Sequence, residues 1–108
     1  MTVTRLQGFQ RKYLRGLAHG LEPVIFVGQR GASTQLFAEL IRALEDHELV
    51  KVKFVAHKDR AEKQALAGEL ETGARCELVG LIGHTAIYFR QQPDPEKRRV
   101  RLPVRGDP

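Results

Sequence analysis

Long apolar runs are missing from this 108-residue chain. The longest, Val24-Ile25-Phe26-Val27 and Leu78 to Ile82, fall far short of the roughly 18 consecutive apolar residues that a membrane span needs. Arg5, Gln7 and Gln10 interrupt the N-terminal stretch where a secretory signal would carry its apolar core, so no membrane partner and a cytoplasmic address are expected. Cysteine is nearly absent as well. Cys76 alone excludes an intramolecular disulfide and a multi-thiolate metal site. It lies in Arg75-Cys76-Glu77-Leu78-Val79, a strand-like segment, which reads as a buried, inert thiol rather than a nucleophile. Tryptophan is lacking, leaving Phe and Tyr for any base stacking. Phe9, Tyr13 and Phe37 fit core stripes, whereas Tyr88 and Phe89 face opposite sides of the last strand, so one of that pair is available for an exposed face.

What is present in excess is positive charge, with a net value of +5 and a pI of 9.8. It sits at the two ends. Arg5, Arg11, Lys12, Arg15 and Arg30 face only Glu22 over residues 1–38. Six basic side chains face Asp94, Glu96 and Asp107 over residues 90–108, and the middle is acidic by two charges. Lys and Arg that neutralise phosphates gain free energy from counterion release, so this distribution favours a polyanion, nucleic acid ahead of an anionic membrane surface.

The apolar spacing predicts a helix from Thr4 to Leu21, with Leu6, Phe9, Tyr13, Leu14, Leu17 and Leu21 inward, Arg11, Lys12 and Arg15 on a solvent-facing side, and Gly20 as its C-terminal cap. Val24 to Val27 reads as an interior strand, apolar on both faces. Ser33 caps a helix from Thr34 to His47. Leu49 to Phe54 alternates, with Val50, Val52 and Phe54 inward and Lys51 and Lys53 on a basic outer face. Asp59 with Glu62 opens a third helix that Gly73 stops. Cys76 to Ile82 and Thr85 to Phe89 form a hairpin about Gly83-His84. The expected class is α/β: one compact domain over residues 1–90, α-β-α-β-α-β-β with a four-stranded mixed sheet, then a flexible basic tail over 91–108 that packs little.

A Gly-x-x-Gly pattern is uninformative alone in a chain with ten glycines, and Gly80-Leu81-Ile82-Gly83 is a second instance that reads as strand backbone near a turn. Gly28-Gln29-Arg30-Gly31 differs, because a strand precedes it and a helix start follows. Glycines there allow close approach of another backbone, amides at a helix start suit a phosphate, and Arg30 supplies a charge-assisted bond, with Gln29 in reach of a sugar or base edge. The alternative is an ordinary strand-to-helix turn. The loop lacks the phosphate-binding signature of nucleoside triphosphate sites, and no cofactor or small-molecule substrate is expected.

Four blocks occur in order: Gln10-Arg11-Lys12-Tyr13-Leu14-Arg15-Gly16-Leu17-Ala18-His19, Val27-Gly28-Gln29-Arg30-Gly31, Ala43 to Lys53, and Ile82-Gly83-His84-Thr85. Together they closely resemble the YhbY family of CRM-domain proteins (chloroplast RNA splicing and ribosome maturation), from about Leu6 to Arg90. The resemblance implies a domain similar to the C-terminal domain of bacterial translation initiation factor three, with the Gly-x-x-Gly loop on RNA. It also implies a role on precursors of the large ribosomal subunit, as for free-standing bacterial members, or in intron splicing, as for organellar relatives. The family loop usually carries Lys after its first glycine; here that position is Gln29 and the charge sits on Arg30.

The expected RNA-binding residues are Gly28, Gln29, Arg30, Gly31, Arg11, Lys12, Arg15, Lys51 and Lys53, acting on ribosomal RNA in pre-large-subunit particles through its backbone, in a monomer. Two other classes compete. An enzyme would draw on His19, His47, His57 and His84, but their spacings form no metal or acid-base pair, and the sole serine, Ser33, is a helix cap, so no catalysis is expected. A protein-interaction adaptor would use the same basic ends on acidic protein surfaces.

Overall fold

The computed structural model describes residues 5–56 and 59–104; Thr4, His57 and Asp107 lie outside them. Helix α1 (Gly8–Ala18), strand β1 (Ile25–Val27), α2 (Thr34–His47), β2 (Leu49–Phe54), α3 (Arg60–Gly73), β3 (Glu77–Ile82) and β4 (Thr85–Phe89) follow in the expected order. They build one four-stranded mixed sheet ordered β1-β2-β4-β3, with β1 parallel to β2 and the remaining pairs antiparallel. Ends of the sheet are named here by β1: the upper end is where β1 stops at Val27 and β4 begins at Thr85; the lower end holds Leu49, Glu77 and Phe89.

Period-two alternation decides which residues meet which helix. Val50, Val52 and Phe54 of β2, with Ala86 and Tyr88 of β4, point to the face covered by α2 and α3, where they join Leu40, Leu44 and Leu70 in the larger core. Leu49, Val79, Ile87 and Phe89 point the other way and are covered by Leu14 and Ala18 of α1 and by Leu6 ahead of it. Ser33 accepts the Leu36 N–H at 3.1 Å and Asp59 the Glu62 N–H at 3.4 Å, so both expected caps are in place.

Six expectations need correction. Helix α1 is shorter than Thr4 to Leu21, and only its Leu14–Ala18 stripe is deeply buried; Tyr13, Leu17 and Leu21 are exposed because the helix meets the sheet along a strip narrower than its apolar face. Its C-terminal cap is His19, not Gly20. Strand β1 is an edge strand, not an interior one: Ile25 and Val27 are buried, whereas Val24 and Phe26 lie on the α1 side beyond the reach of α1 and are exposed. Neither Tyr88 nor Phe89 is exposed, since helices cover both faces at the lower end; the Tyr88 hydroxyl donates to the Ala67 carbonyl at 2.9 Å. Gly73 is the last residue of α3 rather than its stop. A Cβ there would sit 2.2 Å from the Phe37 ring, so glycine is required by packing, and the left-handed turn falls on Arg75 (φ 54°).

The sixth correction concerns the C-terminal segment. Its prolines and charge suggested little packing, yet Val100 and Leu102 pack against the α1 core and Gln10 donates to the Pro103 carbonyl. Glu48 is the fastener. Only 1% exposed, it ends α2 with φ 66° and accepts the N–H groups of Gln92, Arg99 and Val100 at 2.6, 2.6 and 2.7 Å. A buried carboxylate must find donors, and backbone N–H groups of an otherwise open segment supply them.

Glu48→Gln replaces a charged acceptor by a neutral one. It should lower stability to urea by about 2 kcal/mol, within the range for hydrogen bonds to charged groups, and should speed tryptic cleavage at Arg98, Arg99 and Arg101. Unchanged stability and cleavage would show that the segment is held by its apolar contacts alone.

Candidate nucleic-acid interface

The Gly28-Gln29-Arg30-Gly31 segment is a tight turn closed by the Gly31 N–H on the Gly28 carbonyl at 3.1 Å, with Gln29 and Arg30 exposed at its apex. Gly31 needs its identity for the backbone, having φ 65°. Gly28 does not: its φ is not left-handed, and a Cβ built there meets nothing within 4 Å. The missing side chain therefore leaves open space at the mouth of the turn. Helix α2 begins three residues after Gly31, presenting the positive end of its dipole on the same side of the fold.

Below the turn runs a row that no single segment of sequence discloses. Phe26 pairs with Lys53, Lys53 with Thr85, and Thr85 with Ile82, so these four side chains lie side by side on the α1 face across all four strands. Helix α1 covers the lower part of that face and stops short of the row. Phe26 is 55% and Ile82 62% exposed, Lys53 is exposed, and Thr85 is half-buried. The strip is about 14 Å long, from three interstrand spacings of ~4.8 Å. Phe26 is the residue that sequence reasoning missed. Its run of four apolar residues looked two-sided, and only the pairing order, which makes β1 an edge, shows that one side is open.

The other expected basic residues divide. Lys12 is exposed and points away from the sheet, two positions from buried Leu14. Arg11 and Arg15, one turn apart, instead flank the Leu14–Ala18 stripe and reach over β3. Arg11 is ion-paired with Glu77, whose other oxygen accepts the Leu6 N–H at 2.9 Å. Arg15 donates to the Val79 carbonyl at 3.2 Å and lays its stem on Gly80, where a Cβ would meet Arg15 Cδ at 3.0 Å. The second Gly-x-x-Gly thus begins with a glycine that makes room for an arginine. Lys51 donates to the Leu21 carbonyl at 3.0 Å and so holds the connector between α1 and β1. The three basic residues left for a partner are Arg30 and Lys53, together at the upper end, and Lys12, apart from them. Arg11 and Arg15 sit over the opposite edge strand, and the helix does not share one solvent-facing basic side.

The chemistry available is recognition of an anion. Burial pushes the Cys76 thiol up to about 12, with nearby Arg90 opposing and Glu71 adding to the effect, so the thiol stays protonated at neutral pH. His19 and His47 stand at helix ends, and His84 is held in the β3–β4 turn against the Lys63 ammonium at 3.1 Å. Among the described residues no group of three His, Cys, Asp or Glu side chains is placed to hold a metal, and no helix is long and apolar enough to cross a membrane.

Comparison with known proteins gives a consistent result. The profile of the CRS1/YhbY (CRM) domain matches residues 6–90. A Pseudomonas aeruginosa protein named as a probable RNA-binding protein is 42% identical over 88 residues, covering 82% of this chain and 84% of that one. A Haemophilus influenzae RNA-binding protein is 37% identical over 101 residues, covering 94% and 98%. The solution structure of a Staphylococcus aureus protein, described as an RNA-binding candidate, superposes with a TM-score of 0.79 at 31% identity over 92% of this chain and all of that one.

The two neighbouring helix positions should separate in a stability measurement. Arg11→Gln leaves Glu77 buried with one fewer donor and should cost about 1–2 kcal/mol, less than a fully buried pair because Arg11 is partly exposed. Lys12→Gln should change stability by less than about 0.5 kcal/mol. Equal effects in urea melts would contradict the division of roles.

Proposed function

Because the chain belongs to the CRS1/YhbY (CRM) domain family, we propose that it binds structured RNA, largely through the RNA backbone, with the Gly28-Gln29-Arg30-Gly31 turn as the phosphate contact. The observation that carries this reading is the turn itself: Gln29 and Arg30 stand exposed at its apex between β1 and the start of α2, and Gly28 leaves room beside them for a phosphodiester backbone. Arg30 at the apex then supplies the charge, and its guanidinium can meet a phosphate in bidentate fashion. That the usual family Lys is replaced by Gln29 is absorbed by one step along the same turn, whose two apex residues are both exposed.

Lys53 and Phe26 continue the contact onto the sheet. A cation beside an exposed aromatic ring suits a nucleotide that lies along the backbone track, its phosphate toward Lys53 and its base toward Phe26. The names of the Pseudomonas and Haemophilus relatives, which give RNA binding as their role, support the class of partner. The resemblance to free-standing bacterial YhbY proteins extends the proposal to ribosomal RNA in precursors of the large subunit, with the protein acting as an assembly factor. Arg11, Arg15 and Lys51 act in this account mainly by holding α1 and its connector in place, and Lys12 as an outlying charge.

Arg30→Glu should weaken binding to a ribosomal RNA stem-loop about tenfold, the equivalent of about 1.4 kcal/mol, and should reduce the slope of log K against log salt by about one. Fluorescence anisotropy over a salt series measures both. Unchanged affinity and slope in a folded variant would remove the turn from the interface.

A further inference from the structure

A larger cluster of positive charge than the one at the Gly28–Gly31 turn stands elsewhere in the described fold. It lies at the lower end of the sheet, where the C-terminal segment, fastened by Glu48, stands off the ends of β3 and β4 and encloses a cleft of about 1080 Å³. Six arginines line it: Arg5, Arg75, Arg90, Arg98, Arg99 and Arg101. Glu77 is the one carboxylate among the lining residues, and both of its oxygens are already taken, by the Leu6 N–H and by Arg11. The acidic residues of the segment itself, Asp94 and Glu96, do not line the cleft, and Asp94 caps the Glu96 N–H.

Like charges gathered around one concavity repel each other, and the fold answers them with carbonyl acceptors rather than carboxylates, Arg98 Nε donating to the Gln92 carbonyl at 2.8 Å. Among the described residues the one ion pair is Arg11 with Glu77, so none of the six arginines is paired with a carboxylate. Arg90 donates through Nη2 to the Ala74 carbonyl at 3.0 Å, but its buried Nε has no acceptor among the described residues. A buried donor without a partner is costly, and it marks Arg90 as an arginine whose hydrogen-bonding capacity the fold leaves incompletely used. Arg75 adds a second sign of use. It holds a left-handed φ of 54° that glycine adopts freely and other residues adopt only at a cost, yet the residue there carries a guanidinium into the lining.

We propose that this cleft is a second RNA-backbone site, engaging phosphates at the end of the domain opposite the Gly28–Gly31 turn. It rests on the RNA-binding reading above and extends it. The two sites are separated by the length of the strands, about 17 Å for five residues, so one folded RNA laid along the domain touches both. Guanidinium groups on different segments suit a chain of phosphates better than one small anion, because each fork can take its own phosphate. Arg5, Arg98, Arg99 and Arg101 lie outside residues 6–90, where the family profile matches, so the cleft is completed by parts of the chain beyond the shared domain.

The test uses the full chain with three substitutions together: Arg75→Gly, Arg99→Gln and Arg101→Gln. Glycine relieves the backbone at position 75, and the other two side chains are exposed, while the Arg99 N–H that Glu48 holds is retained. A thermal melt confirms folding, and if glycine at 75 disturbs it the Arg99→Gln/Arg101→Gln pair is used alone. Binding is measured by anisotropy over a salt series, with a large-subunit ribosomal RNA stem-loop as probe and polyglutamate as a competing polyanion. The triple variant should bind the RNA about tenfold more weakly, with a salt slope smaller by about two, following the loss of phosphate contacts. Wild-type affinity and slope in this variant, while Arg30→Glu still weakens binding, would overturn the cleft and leave the turn. Loss of polyglutamate binding with RNA binding intact would overturn it in favour of an acidic protein ligand. Failure of the unsubstituted protein to bind the stem-loop would overturn the RNA reading itself, and the cleft with it.

Discussion

A buried carboxylate must be given donors, and the two at the lower end of the sheet, Glu48 and Glu77, take theirs from segments that have little else to fix them. Glu77 gathers the Leu6 N–H and the Arg11 guanidinium, which seats α1 on β3. Glu48 gathers three N–H groups of the C-terminal segment. Both anchors act at the same end. The upper end of the same face is consequently left uncovered, and the row from Phe26 to Ile82 is open because the helix above it is tied down elsewhere. In this sense the placement of two acids decides which part of the α1 face stays uncovered.

Much of the fold was legible in the residues, because it depends on signals local in sequence. The α2 stripe, the alternation in β2, the Ser33 and Asp59 caps and the Gly83-His84 turn each need only a few adjacent positions to specify them. What was not legible depends on strand order. That Val24 to Val27 forms an edge, so that Phe26 is bare, follows from β4 rather than β1 lying between β2 and β3, and nothing within the run itself encodes it. The same holds for the tail: prolines and charges indicate no regular secondary structure, but they do not reveal that Glu48, some fifty positions earlier, holds it. Arg11, Lys12 and Arg15 teach a related point. Three neighbouring cations on a helix read as one face, and a single buried glutamate on another strand divides them.

Family membership and geometry carry different parts of the functional account. The match over residues 6–90 and the relatives named for RNA binding give the class of partner, whereas the geometry distinguishes residues that fold the domain from those left to meet that partner. Arg11, Arg15 and Lys51 fall in the first group and Arg30 and Lys53 in the second. In the proposed reading, an open glycine, an arginine left exposed and a bare ring beside a lysine form a surface for backbone recognition, with a stacking contact at Phe26. The low-reactivity thiol of Cys76 and the histidines at element ends agree with that emphasis.

The central claim is that RNA approaches the upper end of the sheet on the α1 side. Backbone amide shifts recorded by NMR during titration with a ribosomal RNA stem-loop test it most directly. The largest changes are expected at Gly28 to Gly31, with further changes at Phe26, Lys53 and Thr85 and a separate set around the arginine cleft at the lower end. Changes concentrated instead on the outer surfaces of α2 and α3, with the turn and the row unmoved, would contradict it.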